Sequence, residues 1–288
     1  MRDICYEIAK ASLVGNRTIN QDRCTQVEAV NSVLLCLADG MGGHPKGEVA
    51  AQILTDTCEQ MFQAAHKPVP DPSAFLVDIL RKAHGRIVIF GKKQSPHIKP
   101  RTTAAIVLIQ DSTAYWVHAG DSRLYLFRNS AIFTRTTDHS YVELLRQQGA
   151  ISARACATHP HRNYVTRCLG GGDRPVDFSC GEPVPLRPED VILLCSDGLW
   201  GALDKETLTA SLFASQSLSV SIKQMTMQAE ATAAPDSDNV TAIAIRWIEG
   251  VPDQVLCPEP GKDASDDEEI ILAQAIDDLR NTIKSFKP

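Results

Sequence analysis

The sequence predicts an α+β protein built in layers, neither pure β nor a regular βαβ alternation. Three observations carry this. Strand-like segments occupy the start, the middle and the end of the chain. Two long helical patterns stand back to back between the first strands and the middle ones. Two apolar runs, "SVLLCLADGMGGH" (32–44) and "VILLCSDGLWGAL" (191–203), rhyme, and each stops at Asp-Gly. Such a run reads as a buried strand.

Each element follows from its local pattern. From residue 4 to about 38 the sequence is strand-like, interrupted by "GNRTINQD". A helix is expected from near Pro45 to about His66, with Val49, Ile53, Met61 and Phe62 on one face. A second starts at "DPSAFLVDILRKAHGRI", with Asp71 as N-cap and Pro72 at the first helical position. Residues 103–135 read as a meander of strands: "TAAIVLI", "TAYWVHA", "RLYLFR" and "AIFTR". "DHSYVELLRQQG" is a short helix closed by Gly149, and the stretch from "ARACATHPHRN" to "GGGDRP" is loop-rich. Helical segments near 204–213 and 219–231 precede a last strand, "NVTAIAIRW".

No tandem repeat is present. Residues 1–250 read as one domain, and "GVPDQVLCPEPGKDASDDEE" marks a boundary after it. Residues 251–288 then form a linker and an amphipathic helix. Ser265 and Glu268 have capping-box spacing, and Leu272, Ile276, Leu279, Ile283 and Phe286 make one apolar stripe. That helix packs on its own domain or docks a partner.

Composition excludes several classes. The 288 residues carry a net charge of −6 and no Lys/Arg block, which argues against nucleic-acid binding. Nine cysteines without a C-x-x-C pair and without a signal sequence argue against a disulfide framework. No apolar run approaches the roughly 18 residues of a membrane span. A cytoplasmic protein is expected.

The chemistry lies in the acids. Asp22 closes "NQD", Asp39 and Asp197 end the rhyming runs, Asp121 sits in "HAGDSRLYLF", and Asp238 precedes the last strand. Carboxylates at the ends of buried strands are costly unless a cation or hydrogen bonds satisfy them. Oxygen-only ligands suit a hard divalent cation, Mg²⁺ or Mn²⁺. The glycine after Asp39, Gly40, can turn sharply and offer its own carbonyl. Two metals about 3.5–4 Å apart can clamp a phosphoryl group and acidify a shared water. Arg17, five residues before Asp22, is a candidate for the phosphoryl oxygens. His159 and His161 read as surface histidines, and Gly170, Gly171 and Gly172 as a turn, since no Gly-Lys-Ser/Thr follows.

The motifs "GNRTINQD", "ADGMGGHPKGEVAA", "RTTAAIVLI", "HAGDSRLYLFR", "TTDHSYVELLRQQGAI", "HPHRNYVTRCLGG", "LLCSDGLWGAL" and "DSDNVTAIAI" run in order over roughly residues 5–248. In this they resemble the bacterial branch of the metal-dependent protein phosphatases, the type 2C Ser/Thr phosphatases. The resemblance implies a four-layer α-β-β-α sandwich, two antiparallel sheets flanked by helices. It also implies a Mn²⁺ or Mg²⁺ centre of two ions. Asp39 would bridge them, the Gly40 carbonyl would bind one, and Asp197 and Asp238 would ligate the other. Asp22 would hold metal-bound water, Arg17 would grip the phosphate, and Asp121 with Asp197 would take a third, looser metal. The implied reaction is hydrolysis of phosphoserine and phosphothreonine by a metal-bridging water, without a phosphoenzyme. Phosphorylated proteins are the implied partners, a cognate Ser/Thr kinase among them. The alternative is a phosphatase-like regulatory module that binds a partner with little catalysis.

The chain departs from the family in three places. Met41 follows the first Asp-Gly where animal members carry a histidine, which leaves the leaving-group proton donor open. Arg154 and Ala155 stand where acids are usual, and Arg101 stands where a glycine commonly precedes the Thr-Thr pair.

Overall fold

The structure is a computed structural model and describes residues 5–248. In chain order it begins with strands β1 (Cys5–Leu13), β2 (Asp22–Ala29) and β3 (Ser32–Asp39), then helices α1 (Gly47–Ala64) and α2 (Pro72–Lys93). Strands β4 (Arg101–Thr102), β5 (Ala104–Gln110), β6 (Thr113–Ala119), β7 (Arg123–Arg128) and β8 (Ala131–Arg135) follow. Helices α3 (Tyr141–Gln147) and α4 (Ala153–Thr158) lead to short strands β9 (Leu169–Gly170), β10 (Ser179–Cys180) and β11 (Val184–Pro185). The described part closes with β12 (Val191–Cys195), α5 (Asp197–Trp200), α6 (Lys205–Leu212), α7 (Leu218–Ala233) and β13 (Val240–Ile248).

Two antiparallel sheets face each other. One runs β1-β13-β12-β7-β8, and the other β10-β6-β5-β3-β2 with β11 also on β6. The rhyming runs explain the layering. In β3, Leu34, Cys36 and Ala38 pack with α1 and α2, whereas Val33, Leu35 and Leu37 point between the sheets. In β12, Val191, Leu193 and Cys195 face the α7 side, and Ile192 and Leu194 face the other sheet. Both faces of each strand are buried, so no polar alternation survives in the sequence. Full burial of each such Leu or Ile contributes roughly 1.5–3 kcal/mol, and the sum fixes the ends of these strands firmly. The architecture is the expected α-β-β-α sandwich.

Helix α2 starts as read. Asp71 Oδ1 accepts the Ala74 amide at 2.9 Å, with Pro72 at the first helical position. Helix α1 starts at Gly47, two residues after Pro45, because Lys46 is left-handed at φ 63° and cannot belong to it. Three expectations are corrected. The strands of 103–135 are not one meander: β5 and β6 join one sheet, and β7 and β8 the other. The chain crosses at Gly120, whose φ of 110° favours glycine. The second Asp-Gly does not end its strand, since β12 stops at Cys195 and Asp197 opens α5. The loop-rich stretch holds α4, which Ser152 caps by accepting the Ala155 amide at 3.3 Å. The expected C-terminal helix lies outside the described residues.

Candidate active site

The acids converge because the strands that carry them end together. The β2–β3 ladder places Asp22 directly opposite Asp39. Directly opposed residues bring their Cβ atoms within about 5 Å. Two unit charges at about 4 Å repel by roughly 4 kcal/mol in a surface-like dielectric. Asp121 lies on the crossover between β6 and β7, Asp197 opens α5, and Asp238 sits two residues before β13. Arg17, Asp39, Gly40, Asp121, Asp197 and Asp238 line one cavity of ≈ 300 Å³. Asp22 does not reach its wall; it is 3% exposed and stands behind Asp39. His159 and His161 do not join this cavity. They sit with Tyr141, each about 6.1 Å from its ring, and the His161 amide donates to His159 Nδ1 at 3.1 Å.

The glycines have a packing reason. A Cβ on Gly40 would stand 2.4 Å from the Gly47 carbonyl, where α1 begins, and one on Gly198 would stand 2.1 Å from the Asn239 carbonyl. Each Asp-Gly therefore lets a second backbone pass close to the acid. Around Asp39, the Thr-Thr pair fixes the main chain. Thr102 Oγ1 donates to the Asp39 carbonyl at 2.9 Å, the Thr103 amide donates to the same oxygen at 2.9 Å, and the Asp39 amide donates to Thr103 Oγ1 at 2.9 Å.

Two further residues escape sequence reasoning. Asn239 accepts the Gln21 amide at 2.8 Å and donates to the Val14 and Ile19 carbonyls at 2.8 and 3.1 Å. It thereby ties the loop that bears Arg17 to the start of β13. Ser196 is fully buried, donates to Asp22 Oδ2 at 2.8 Å, and accepts the Thr241 amide at 3.0 Å. The only local signal was that each lies next to a candidate acid, Asp238 or Asp197.

Arg17 Nη2 donates to Asp238 Oδ2 at 2.7 Å, and both side chains remain solvent-accessible. An exposed pair of this kind contributes little stability, so its consequence is placement of the guanidinium on the cavity wall.

Burial raises the pKa of the acids, and their mutual repulsion adds to it. Asp197 is pushed up to about 6, Asp22 to about 7 and Asp121 to about 8. Asp39 is raised well above the usual carboxylate range, first by burial and then by Asp22, Asp197, Asp121 and Asp238. Asp22 Oδ1 is buried without a hydrogen-bond partner. Repelling carboxylates and an orphaned carboxylate oxygen are the environment a hard cation relieves. Among the described residues, no three His, Cys, Asp or Glu side chains stand close enough together to hold an ion by themselves. The acids line the cavity as separate oxygen donors, and their chemistry fits Mg²⁺ or Mn²⁺.

The known proteins that resemble this chain agree with that chemistry. The family described as protein phosphatase 2C matches residues 11–234. Protein phosphatase PhpP of Streptococcus pneumoniae is 32% identical over 197 residues, 67% of this chain and 78% of its own. The solved serine/threonine phosphatase Stp1 from Staphylococcus aureus superposes with a TM-score of 0.78 at 27% identity, over 86% of this chain and 97% of that one. The catalytic domain of the serine/threonine protein phosphatase PstP, solved with two manganese ions, superposes with a TM-score of 0.72 at 28% identity, over 85% and 100%.

Proposed function

The chain belongs to the protein phosphatase 2C family and is a metal-dependent protein-serine/threonine phosphatase; on that premise we propose how its own residues divide the reaction. Asp39, the Gly40 carbonyl, Asp197 and Asp238 hold two divalent cations, Mn²⁺ or Mg²⁺, and Asp121 with Asp197 takes a third. When bound, such cations supply charge neutralisation and activation of water. Asp22 steadies the centre from behind, its carboxylate oriented by Ser196. Arg17 commits Nη2 to Asp238 and retains donors for two oxygens of a phosphoryl group. Asn239 keeps the Arg17 loop in register with Asp238.

The cavity offers no free Ser, Thr or Cys nucleophile, which is consistent with the proposed direct attack by water. Among the described residues, no cysteine or serine lines it. Its one threonine, Thr103, has its hydroxyl bound to the Asp39 amide and to Ser122 Oγ at 2.6 Å. Of the thiols close to the strand ends, burial pushes Cys195 up to about 12 and Cys24 up to about 11, which keeps both protonated.

The substrates are phosphorylated proteins, and a cognate Ser/Thr kinase belongs among them in this reading. A cytoplasmic location is part of the same proposal; no described helix is long and apolar enough to cross a membrane.

The observation that carries the reading is the convergence of four acids and Arg17 on one cavity. It is tested by stripping the full chain of metal and following hydrolysis of an aryl phosphate while titrating Mn²⁺ or Mg²⁺. Restored turnover in the wild type, with at least a 10²-fold loss in Asp39→Ala and in Asp238→Ala, is expected on the scale at which electrostatic stabilisation acts in such sites. Full activity in either variant would sink the ligand assignment.

A further inference from the structure

Arg101 lines the same cavity as Arg17 and the acids, yet no metal or phosphate role accounts for it. Its main chain is fixed at the centre of the site. The Met41 amide donates to the Arg101 carbonyl at 3.1 Å, and β4 pairs Arg101 with Gly170 of β9. The side chain lies against Gly171, where a Cβ would come within 2.7 Å of its Nε. Gly171 has φ +76°, so a glycine there both makes the turn and leaves space for the arginine. The "GGG" motif is thus a turn that seats a cation.

This cation is unspent. Arg101 Nε is buried without a hydrogen-bond partner, and among the described residues no carboxylate pairs with the guanidinium. Buried polar atoms left unpaired are uncommon in native folds and call for an explanation. Arg17, Arg123, Arg128 and Arg146 all have a carboxylate partner. Beside Arg101, His44 lies on the same cavity wall, feels the Arg101 charge, and also leaves a buried nitrogen, Nδ1, without a partner.

Its position differs from that of Arg17. Arg17 is paired with Asp238, whereas Arg101 has no carboxylate partner among the described residues and its carbonyl accepts the Met41 amide. Arg101 thus enters the cavity from the strand that pairs with β9, next to Met41 and His44. A planar guanidinium with free donors suits a planar or tetrahedral oxyanion held by two parallel hydrogen bonds.

From these positions we propose that Arg101, with His44 beside it, is a specificity-determining anion subsite for an acidic group flanking the phosphoserine or phosphothreonine of the substrate. The inference rests on the active-site reading above. The shared ligand chemistry is an oxyanion, supplied either by a glutamate or aspartate carboxylate or by a second phosphate on the same peptide.

The test compares kcat/KM for phosphothreonine peptides that carry Glu, phosphoserine, Gln or Lys next to the phosphoresidue. In the wild type, Glu or phosphoserine should exceed Gln by about tenfold or more, the scale of a charge-assisted hydrogen bond. The larger of the two ratios identifies the natural anion. Arg101→Gln should bring both ratios to about one, and Arg101→Glu should reverse the order in favour of Lys. Arg101→Lys keeps the charge without the fork, so it should still disfavour the Lys peptide while losing part of the Glu preference; it serves if the other variants do not fold by circular dichroism. Unchanged ratios in a folded Arg101→Gln that still responds to Mn²⁺ would overturn the subsite and leave the metal centre standing. An equal loss on all four peptides would place Arg101 on the scissile phosphoryl instead, and would also overturn it. Absence of metal-restored turnover of aryl phosphate in the wild type would overturn the active-site reading and the subsite with it.

Discussion

Asn239 holds the 14–21 loop by three hydrogen bonds, and its own amide is bound to Asp238 Oδ1 at 2.8 Å. Together with the Asn16–Ser237 hydrogen bonds, this side chain holds Arg17 beside an acid of the centre. Asn239→Ala leaves the Gln21 amide and the Ile19 carbonyl without these partners, while the Val14 carbonyl keeps the Arg17 amide, at a cost of roughly 1–3 kcal/mol. Because a misplacement of about 1 Å can cost on the order of 10²-fold in rate, kcat/KM should fall by about that factor. Urea denaturation and steady-state kinetics check both numbers. A loss of stability without a loss of rate would show that the loop finds its place without the tether. Arg101 belongs at this scale too: its role is set by what its side chain does not bind.

At the scale of elements, close backbone approaches build the site. Helix α5 passes so near the entry to β13 that a Cβ on Gly198 would meet the Asn239 carbonyl at 2.1 Å. Since the obstacle is main chain, no rotamer change relieves it. Gly198→Ala should destabilise the fold by roughly 1–3 kcal/mol, as overpacking does, and should weaken metal activation because Asp197 moves with α5. Gly85, inside α2, has nothing within 4 Å of an added Cβ. Its replacement by Ala is the matched control and should stabilise by about 0.4–1 kcal/mol. The comparison of the two midpoints in urea separates close approach from glycine chemistry in general. Equal effects at both positions would refute the packing account.

For the whole molecule, the consequence of gathering acids at one end of a sandwich is a stability that depends on pH and metal together. Without metal, Asp197, Asp22 and Asp121 keep protons up to about 6, 7 and 8, against 3.8 for an ordinary aspartate. The folded chain then binds protons that the unfolded chain has released. Their contribution is fully present below pH 3.8 and is lost as pH rises through those three values. A divalent cation replaces the protons, so the gain in Tm on adding Mn²⁺ to chelator-treated protein should grow from pH 5 to pH 8. Thermal melts with and without chelator at three pH values test it. A gain that does not change with pH would mean that the acids are not the ligands.

The Asp71-Pro72 start of α2, the two Asp-Gly pairs and the α+β layering were legible in the sequence because their causes are local: a cap, a turn, a period of apolar residues. The set of acids was legible for the same reason, since carboxylates placed at strand ends need compensation wherever the strands lie. What local pattern did not carry was which strand joins which sheet, so the run from 103 to 135 read as one meander although Gly120 divides it. Nor did it carry the tether from Asn239 to a loop more than 200 residues away, the retreat of Asp22 behind Asp39, or the seat that Gly171 gives Arg101. The sequence alone determined the layered elements and the acids at their ends. Only the tertiary structure decided which of those acids reach a common cavity and which arginine lines it without a carboxylate partner among the described residues, because both depend on how distant backbones approach each other rather than on neighbours along the chain.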